Sequence, residues 1–213
     1  MKRFLISIVI CTASLAVHAQ HADSLFNAAK ALVSMPDSLL PYLKSEKRQQ
    51  LVDMAQHNVH ADINNDLDGT SALDSLSADY ALMSPNSISR WQLAVLDAST
   101  NRKIIMLIRH LDIPVTTSLI SFYDSQWNPL PTSDFITIPS PQTMVAKPED
   151  MQQEEFSYIC SLIQPPFIEA QYDNSSKSIL FSLSSPLLQK EDKEKVKLIL
   201  VQKYVKWSEK KFE

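Results

Sequence analysis

The stretch ISRWQLAVLDASTNRKIIMLIRH, residues 88–110, decides the fold of this chain. Two apolar runs, Ile88–Leu96 and Ile104–His110, stand on either side of a polar connection, residues 97–102. Aliphatic and β-branched side chains dominate both runs, which favours strands over helices. The connection is too short to contain a crossover helix, so we predict that the two strands run antiparallel.

The strand pattern extends in both directions from this pair. Further short apolar or alternating runs are separated by turns rich in Pro, Asn, Asp and Ser. We therefore predict additional strands at Val59–Ile63, Tyr80–Met83, Ser118–Tyr123, Phe135–Ile138, Phe167–Tyr172, Ile179–Ser184 and Val196–Trp207.

Two of these predicted strands allow a second interpretation. Phe135–Ile138 lies among the prolines between Pro129 and Pro148, which indicates an edge strand with extended flanks, or else a linker between domains. The apolar residues of Val196–Trp207 also suit a helical stripe, although its β-branched and aromatic content favours a strand.

The N-terminal third of the chain has helical periodicity. Apolar residues recur at helical spacing in His21–Val33 and again in Glu46–His57, where Ser45 is the expected N-cap. A short helical turn capped by Asp37 or Ser38 should lie between the two helices. We expect these helices to cover one face of the sheet.

A third helix is predicted late in the chain. It begins at Pro148, where a proline is tolerated in the first turn, and Pro165-Pro166 ends it. Phe156, Ile159, Cys160 and Ile163 would face inward. The predicted class is α+β, with a curved, mostly antiparallel sheet, N-terminal helices on one face and one further helix late in the chain.

The first twenty residues have the layout of a secretory signal peptide. Lys2 and Arg3 precede an apolar run, Phe4–Leu15, that is shorter than the roughly 20 residues a membrane span needs. Cleavage after Ala19 would leave a single domain, residues 20–213, with Cys160 as its one cysteine and no membrane span. No intrachain disulfide is then possible, and a buried Cys160 is a more common outcome than a reactive nucleophile.

Composition excludes several functions. The chain contains one glycine, so the Gly-rich phosphate loops of dinucleotide- and nucleotide-binding folds are absent. No block of Lys and Arg exists to neutralise phosphates, which argues against nucleic acid as a partner. The sequence indicates no catalytic residues and no cofactor.

One weak metal motif surrounds the single glycine. Asn64, Asp66 and Asp68 would supply positions one, three and five of a calcium loop, with Gly69 at the sharp turn. Ser75 stands where the bidentate Glu is required, so the site would be weak at best. The alternative is a polar turn in which Gly69 adopts a positive φ.

Three segments resemble a family of secreted Bacteroidetes proteins known only as a domain of unknown function. They are MPDSLLPYL at residues 35–43 with Arg48 and Leu51–Asp53, the Ser118–Trp127 segment, and Tyr204–Phe212. The resemblance covers nearly the whole mature chain and implies export to the periplasm or surface of a Gram-negative cell, but no activity. It also implies that Ser24, Ser38 and Ser75, each in an Asp-Ser-Leu tripeptide, are candidate O-glycosylation sites, although helix capping explains the first two as well.

These observations favour a non-enzymatic binding or interaction module of the cell envelope. Its partner would be an envelope protein, a glycan or a small apolar ligand. Two alternatives stay open: a carrier that holds an apolar ligand in a half-barrel cavity, and a hydrolase whose site the sequence does not identify.

Overall fold

The computed structural model describes residues 26–99, 102–185 and 188–213, and the predicted signal peptide lies outside these ranges. The described helices are α1 (Ala28–Ser34), α2 (Ser45–Gln56), α3 (Gln153–Leu162) and α4 (Lys190–Lys197). The strands are β1 (Asp62–Asn64), β2 (Thr70–Leu76), β3 (Tyr80–Asn86), β4 (Ser89–Asp97), β5 (Lys103–Leu111), β6 (Thr117–Asp124), β7 (Pro129–Leu130), β8 (Phe167–Asp173), β9 (Ser178–Ser184) and β10 (Lys203–Lys206).

The first seven strands form one antiparallel sheet in the order of the chain, β1 to β7. Strands β4 and β5 pair without interruption from Ser89↔Leu111 to Asp97↔Lys103, as the opening stretch predicted. Side chains on alternate positions point to opposite faces of a sheet. This central sheet is buried on both faces along β4 and β5, so its strands are apolar almost throughout.

The two faces of the central sheet carry separate cores. On one face, α1 and α2 pack over β1 to β4, and the core there includes Leu93 and Val95 of β4 and Ile105 and Leu107 of β5. On the opposite face a second antiparallel sheet, ordered β10-β9-β8, packs with α3 and α4 against Leu96, Met106, Ile108, Ile120 and Phe122. The α+β class, the mainly antiparallel pairing and the N-terminal helices on one face are confirmed, and the sheets are open.

A fully buried arginine organises the helical layer. The Arg48 guanidinium donates hydrogen bonds from Nε to the Leu32 carbonyl (2.9 Å) and from Nη1 to the Leu43 carbonyl (2.6 Å). Nη2 donates to the Met35 carbonyl and lies 3.1 Å from the Asp37 carboxylate. The carbonyls in the last turn of a helix have no partner within the helix. Arg48 binds those of Leu32 and Met35 at the end of α1 and that of Leu43 just before α2.

The prediction that Ser45 is the N-cap of α2 was wrong, because the Asp37 carboxylate caps the helix instead. Ser45 begins the helix, but its backbone N–H donates to Asp37 Oδ1 (3.0 Å) and no side chain caps the helix from position 44. The cap therefore comes from the preceding short turn, Asp37–Leu39.

The predicted strand Phe135–Ile138 was wrong. A short 3-10 turn, Thr132–Asp134, precedes an extended segment that joins no ladder. Phe135 stacks on Phe122 with ring centroids 4.7 Å apart, and Ile136 is buried. The apolar pattern reflects packing, because the surrounding prolines cannot donate to a ladder.

The segment Val196–Trp207 contains both of the elements that its sequence allowed. Val196 is buried in the last turn of α4, and Ile199 fills the core just after it. Only Lys203–Lys206 forms a strand, which pairs with β9. Strand β2 was missed altogether, because Thr70–Leu76 is rich in Ser, Thr and Asp and follows directly on the polar turn at Gly69.

Within the described residues, no helix is long and apolar enough to span a membrane. The prediction that residues 20–213 form a single domain stays a prediction.

Candidate functional site

An open groove of about 570 Å³ runs beside α3; we call it the α3 groove. Ile163 and Leu183 line it and are almost completely buried, and Val145, Phe156 and Cys160 line it and are half-buried. Small-molecule sites commonly measure about 300 to 1,000 Å³ and have mainly apolar linings. The α3 groove has the size and surface of such a site.

The sequence of α3 explains how it forms one wall of the groove. Phe156, Cys160 and Ile163 follow one another at helical spacing and form a stripe, while the neighbouring Ile159 is buried in the second core. The helix ends at Leu162, where Ile163 leaves the helical conformation with ψ 65° ahead of the two prolines. The predicted inward face of this helix therefore divides between the core and the groove.

The rim of the groove is polar but has few groups that could take part in acid–base catalysis. Lys147 Nζ donates hydrogen bonds to the carbonyls of Met151 (2.7 Å) and Pro148 (3.2 Å). Gln142 and Gln164 complete the polar rim. The described residues that line the groove include no carboxylate and no imidazole, so they could bind a ligand but offer no acid–base pair.

Cys160 is a free thiol on the groove wall. Burial raises its pKa, whereas a nucleophilic cysteine needs a lowered pKa. The thiol is therefore protonated at neutral pH, and it acts as a small apolar wall residue.

A second group of polar side chains is buried between the two sheets, and the sequence analysis assigned none of its members to a site. The Gln92 side chain accepts the Tyr172 backbone N–H at Oε1 (3.0 Å) and donates from Nε2 to the Tyr172 carbonyl (2.9 Å). Gln92 Nε2 also donates to the Tyr80 hydroxyl (2.9 Å). The amide thus pairs with strand β8 as another backbone strand would.

His110 and Ser118 extend this network. His110 Nε2 lies 3.2 Å from Gln92 Oε1, and His110 Nδ1 lies 3.0 Å from Ser118 Oγ. Because Gln92 Oε1 can only accept, Nε2 carries the imidazole proton and Nδ1 accepts from the Ser118 hydroxyl. Ser118 Oγ in turn accepts the Ala170 backbone N–H (2.9 Å).

The arrangement of Ser118 next to His110 has the outline of a nucleophile and its base. Its surroundings argue for a different role. His110 is 1% exposed, and desolvation, assisted by the charge of Arg90, lowers its pKa to about 4. The group instead satisfies the free edge of β8, which would otherwise leave backbone donors and acceptors unpaired.

The weak calcium motif lies in the turn between β1 and β2. Lys47 Nζ occupies the space between two of its members, 2.9 Å from the Asn64 carbonyl and 2.6 Å from Asp66 Oδ1. In the described part of the chain, no three His, Cys, Asp or Glu side chains gather as a metal site would require. Calcium binding by Asn64, Asp66 and Asp68 stays a prediction.

Asn65, rather than the glycine, organises that turn. Its Oδ1 accepts the backbone N–H groups of Leu67 (3.0 Å) and Gly69 (3.2 Å). The positive φ of 56° belongs to Asp68, so the expectation that Gly69 adopts it was wrong.

Two of the three candidate glycosylation sites fall within the described residues. Ser38 is exposed in the short turn Asp37–Leu39, and Ser75 is exposed on β2 beside a register shift. Ser24 lies outside the described ranges. A glycan partner would stack on exposed aromatic rings, but Trp91, Phe122, Tyr123 and Trp127 are all buried.

Comparison with known proteins supports the fold and supplies no activity. A family model described as "Protein of unknown function (DUF3256)" matches residues 14–212. A solved structure of a domain of an uncharacterized protein from Porphyromonas gingivalis W83 has a TM-score of 0.73 and 21% sequence identity, covering 86% of this chain and 96% of that one. At that identity the similarity shows the fold alone, and no curated protein matches the chain.

Proposed function

Because the chain belongs to this family of unknown function, we propose a role from its own geometry: it is an exported, non-enzymatic binding module that holds a small apolar molecule in the α3 groove. The observation that carries the proposal is the groove itself, about 570 Å³ with buried Ile163 and Leu183 in its lining. Covering exposed apolar surface with a ligand removes it from water, which lowers the free energy and favours binding.

The interior of the described fold offers less support for a carrier. The enclosed void between α1 and the central sheet measures only about 10 Å³, about the volume of one water probe. Both faces of the sheet are filled by packed side chains. The ligand would therefore lie in the α3 groove rather than in a half-barrel cavity.

A hydrolase would need a solvent-accessible nucleophile beside its base. Ser118 and His110 are adjacent, but β8 covers them and the Ala170 N–H occupies the serine oxygen. This geometry favours the binding module.

A pair of tryptophan substitutions on one helix tests the binding role. The probe is N-phenyl-1-naphthylamine, an apolar dye whose fluorescence rises in a dry site. Cys160→Trp fills the groove and should weaken dye binding about tenfold, which corresponds to roughly 1.4 kcal/mol. Tyr158→Trp, on the exposed side of α3, should leave binding unchanged.

Circular dichroism of both variants establishes that they are folded. Equal dye affinity in the wild type and both variants, or no dye binding by the wild type, would refute the groove as a ligand site.

Export is the second part of the proposal. The signal-peptide layout of Met1–Gln20 supports cleavage between Ala19 and Gln20. The test is the N-terminal peptide of protein recovered from the native envelope. A mature protein that begins at Met1, or that is recovered from the cytoplasm, would contradict export.

We also propose that the Asp-Ser-Leu tripeptides carry O-linked glycans after export. The exposed hydroxyls of Ser38 and Ser75 support access by a transferase. Intact-mass measurement of the native protein should show added sugar mass that disappears in a Ser24→Ala, Ser38→Ala, Ser75→Ala variant. An unmodified mature mass would reject the modification.

A further inference from the structure

The rim of the α3 groove contains a cation that no carboxylate neutralises. Lys147 lines the groove, and the other described residues that line it include no acidic side chain. Glu149 and Asp150 follow Lys147 closely in the chain, but the ion pairs among the described residues do not include its ammonium. A groove with apolar walls therefore has a positive charge at its rim.

The backbone fixes the position of the Lys147 ammonium. Nζ donates hydrogen bonds to the carbonyls of Met151 (2.7 Å) and Pro148 (3.2 Å). An ammonium has three N–H groups, so one donor is left for a ligand. The segment that carries Lys147 is itself anchored, because the Ala146 backbone N–H donates to the Ile199 carbonyl (2.8 Å).

Lys147 marks one end of the groove. Met151, whose carbonyl binds the ammonium, directly precedes the N-cap of α3. From that end, the apolar stripe of Phe156, Cys160 and Ile163 runs toward the C-terminus of the helix and extends about 10 Å at 1.5 Å per residue. A ligand with its polar head at Lys147 would therefore place its chain along this stripe.

A second groove, between α1 and α2, has a similar size but lacks this arrangement. It measures about 540 Å³, and its lining also includes a lysine, Lys30. The hydrogen bonds among the described residues hold the ammonium of Lys147 but not that of Lys30. A cation that is already held in place loses less freedom when it binds an anion, which favours the α3 groove.

We propose that the α3 groove binds a single-chain amphiphile with a carboxylate head, such as a fatty acid. The carboxylate pairs with Lys147, and the alkyl chain covers the apolar wall of α3. One free ammonium donor suits a singly charged carboxylate, whereas a phosphate has more charge and three acceptor oxygens that require further donors. This inference rests on the proposed binding role of the groove.

Isothermal titration calorimetry of the mature protein tests the head group. The wild type should bind dodecanoate more tightly than dodecyltrimethylammonium, which has the same alkyl chain and a cationic head. Lys147→Met should weaken dodecanoate binding about fivefold to tenfold, because it removes one charge-assisted hydrogen bond at a partly solvated site. Lys147→Arg keeps the charge and should retain most of the affinity.

The matched control is Lys30→Met, which removes the lysine of the second groove and should leave dodecanoate binding unchanged. Chain length tests the wall of α3. Each methylene added between octanoate and dodecanoate should raise the affinity, by up to about fourfold where it is fully buried. Cys160→Trp, which fills the groove, should weaken the binding of dodecanoate as well as that of the dye.

N-phenyl-1-naphthylamine separates a failure of this inference from a failure of the proposed function. Lys147→Met should still bind this uncharged dye, which also establishes that the variant is folded. A wild type that binds the dye but not dodecanoate would refute the carboxylate ligand and leave the groove as a binding site. Lys147→Met with dodecanoate affinity within about twofold of the wild type would refute it in the same way.

Two further results would overturn the inference. Loss of dodecanoate binding in Lys30→Met but not in Lys147→Met would assign the ligand to the second groove. A wild type that binds neither dodecanoate nor the dye would refute both the carboxylate ligand and the binding role of the α3 groove.

Discussion

The two faces of the central sheet are stabilised in different ways. Under α1 and α2 the core between helix and sheet is apolar, and its buried cation, Arg48, binds backbone carbonyls within the helical layer. On the opposite face, polar side chains reach across the interface: Gln92 and Ser118 bind the backbone of β8, and His110 links these two side chains.

This difference follows from what each layer needs. A helix satisfies its own backbone except at its ends, so it can pack on a sheet through apolar side chains alone. The edge of a second sheet presents unpaired N–H and C=O groups, so the surface that it packs against must supply polar partners. Polar residues in the central strands therefore mark where β8 is held.

The largest effect is expected from breaking the helical side. Arg48→Met leaves the carbonyls of Leu32, Met35 and Leu43 without their donor and Asp37 without its cation. Each buried carbonyl left without its donor typically costs about 1 to 3 kcal/mol. Urea unfolding should show this loss, and a loss below about 1 kcal/mol would mean that the arginine network contributes little.

The corresponding change on the other face is Gln92→Met. It keeps the shape of the side chain but leaves the Tyr172 N–H and C=O unpaired. Two unsatisfied buried groups should lower the unfolding free energy by about 2 to 4 kcal/mol. Hydrogen exchange should speed up more at the amides of β8 than at those of β4 relative to the wild type. We call the Gln92, His110 and Ser118 side chains that hold β8 the clamp; unchanged protection of β8 would contradict it.

The pH dependence of stability sharpens the role of His110. Its pKa falls from 6.5 to about 4 in the folded protein, so between those values the unfolded chain takes up a proton and the folded chain does not. Stability is therefore complete above pH 6.5 and declines as the pH falls toward 4, by about 3 kcal/mol in all. Arg90 opposes protonation, and Asp112 favours it.

The measurement is the unfolding free energy across that pH range for the wild type and His110→Gln. Asp79 and Asp124 have lowered pKa values, so their contributions are lost mainly below the pH range assigned to His110. The variant should lose most of the slope between pH 6.5 and 4.5. An unchanged slope would assign the effect to other groups.

Ser118→Ala is a milder break in the same clamp. It removes the acceptor for the Ala170 N–H and the donor to His110 Nδ1. We expect a loss of about 1 to 2 kcal/mol in thermal or urea unfolding, compared with almost none for Ser121→Ala on the other face of the same strand. Equal effects of the two substitutions would argue against the clamp.

The smallest expected effect has the opposite sign. The Tyr172 hydroxyl is buried in the second core without a hydrogen-bond partner among the described residues, and burial raises its pKa. Tyr172→Phe removes this unsatisfied group and should stabilise the protein by up to about 1 kcal/mol. A destabilised variant would reveal a partner for the hydroxyl, such as a buried water.

Much of the fold is predictable from local patterns, and the failures have identifiable causes. The strands β4, β5, β6, β8 and β9 and the helix α3 were located because their apolar residues repeat with the right period. Thr70–Leu76 was missed because a strand rich in Ser, Thr and Asp resembles a turn, and Phe135–Ile138 was overpredicted because apolar packing occurs without a ladder.

The candidate site was less predictable. Phe156 and Cys160 were assigned to the inward face of a helix, and nothing local distinguishes a core position from a groove wall. Gln92 and His110 appeared as polar interruptions of apolar strands. A polar residue within an apolar strand indicates a buried polar group, but it does not reveal that Gln92 binds β8.

The amino-acid sequence by itself determined the apolar strands, the amphipathic helices, the N-terminal signal-peptide pattern and the absence of glycine-rich loops, because these depend on residues close together in the chain. Only the tertiary structure decided that Gln92 meets the backbone of Tyr172, 80 positions away, and that the prolines and α3 enclose a groove. It also left Leu119 exposed and buried Arg109 Nε without a hydrogen-bond partner among the described residues. Burial and hydrogen bonding at these positions depend on which distant segment packs against them, and local periodicity does not predict that long-range packing.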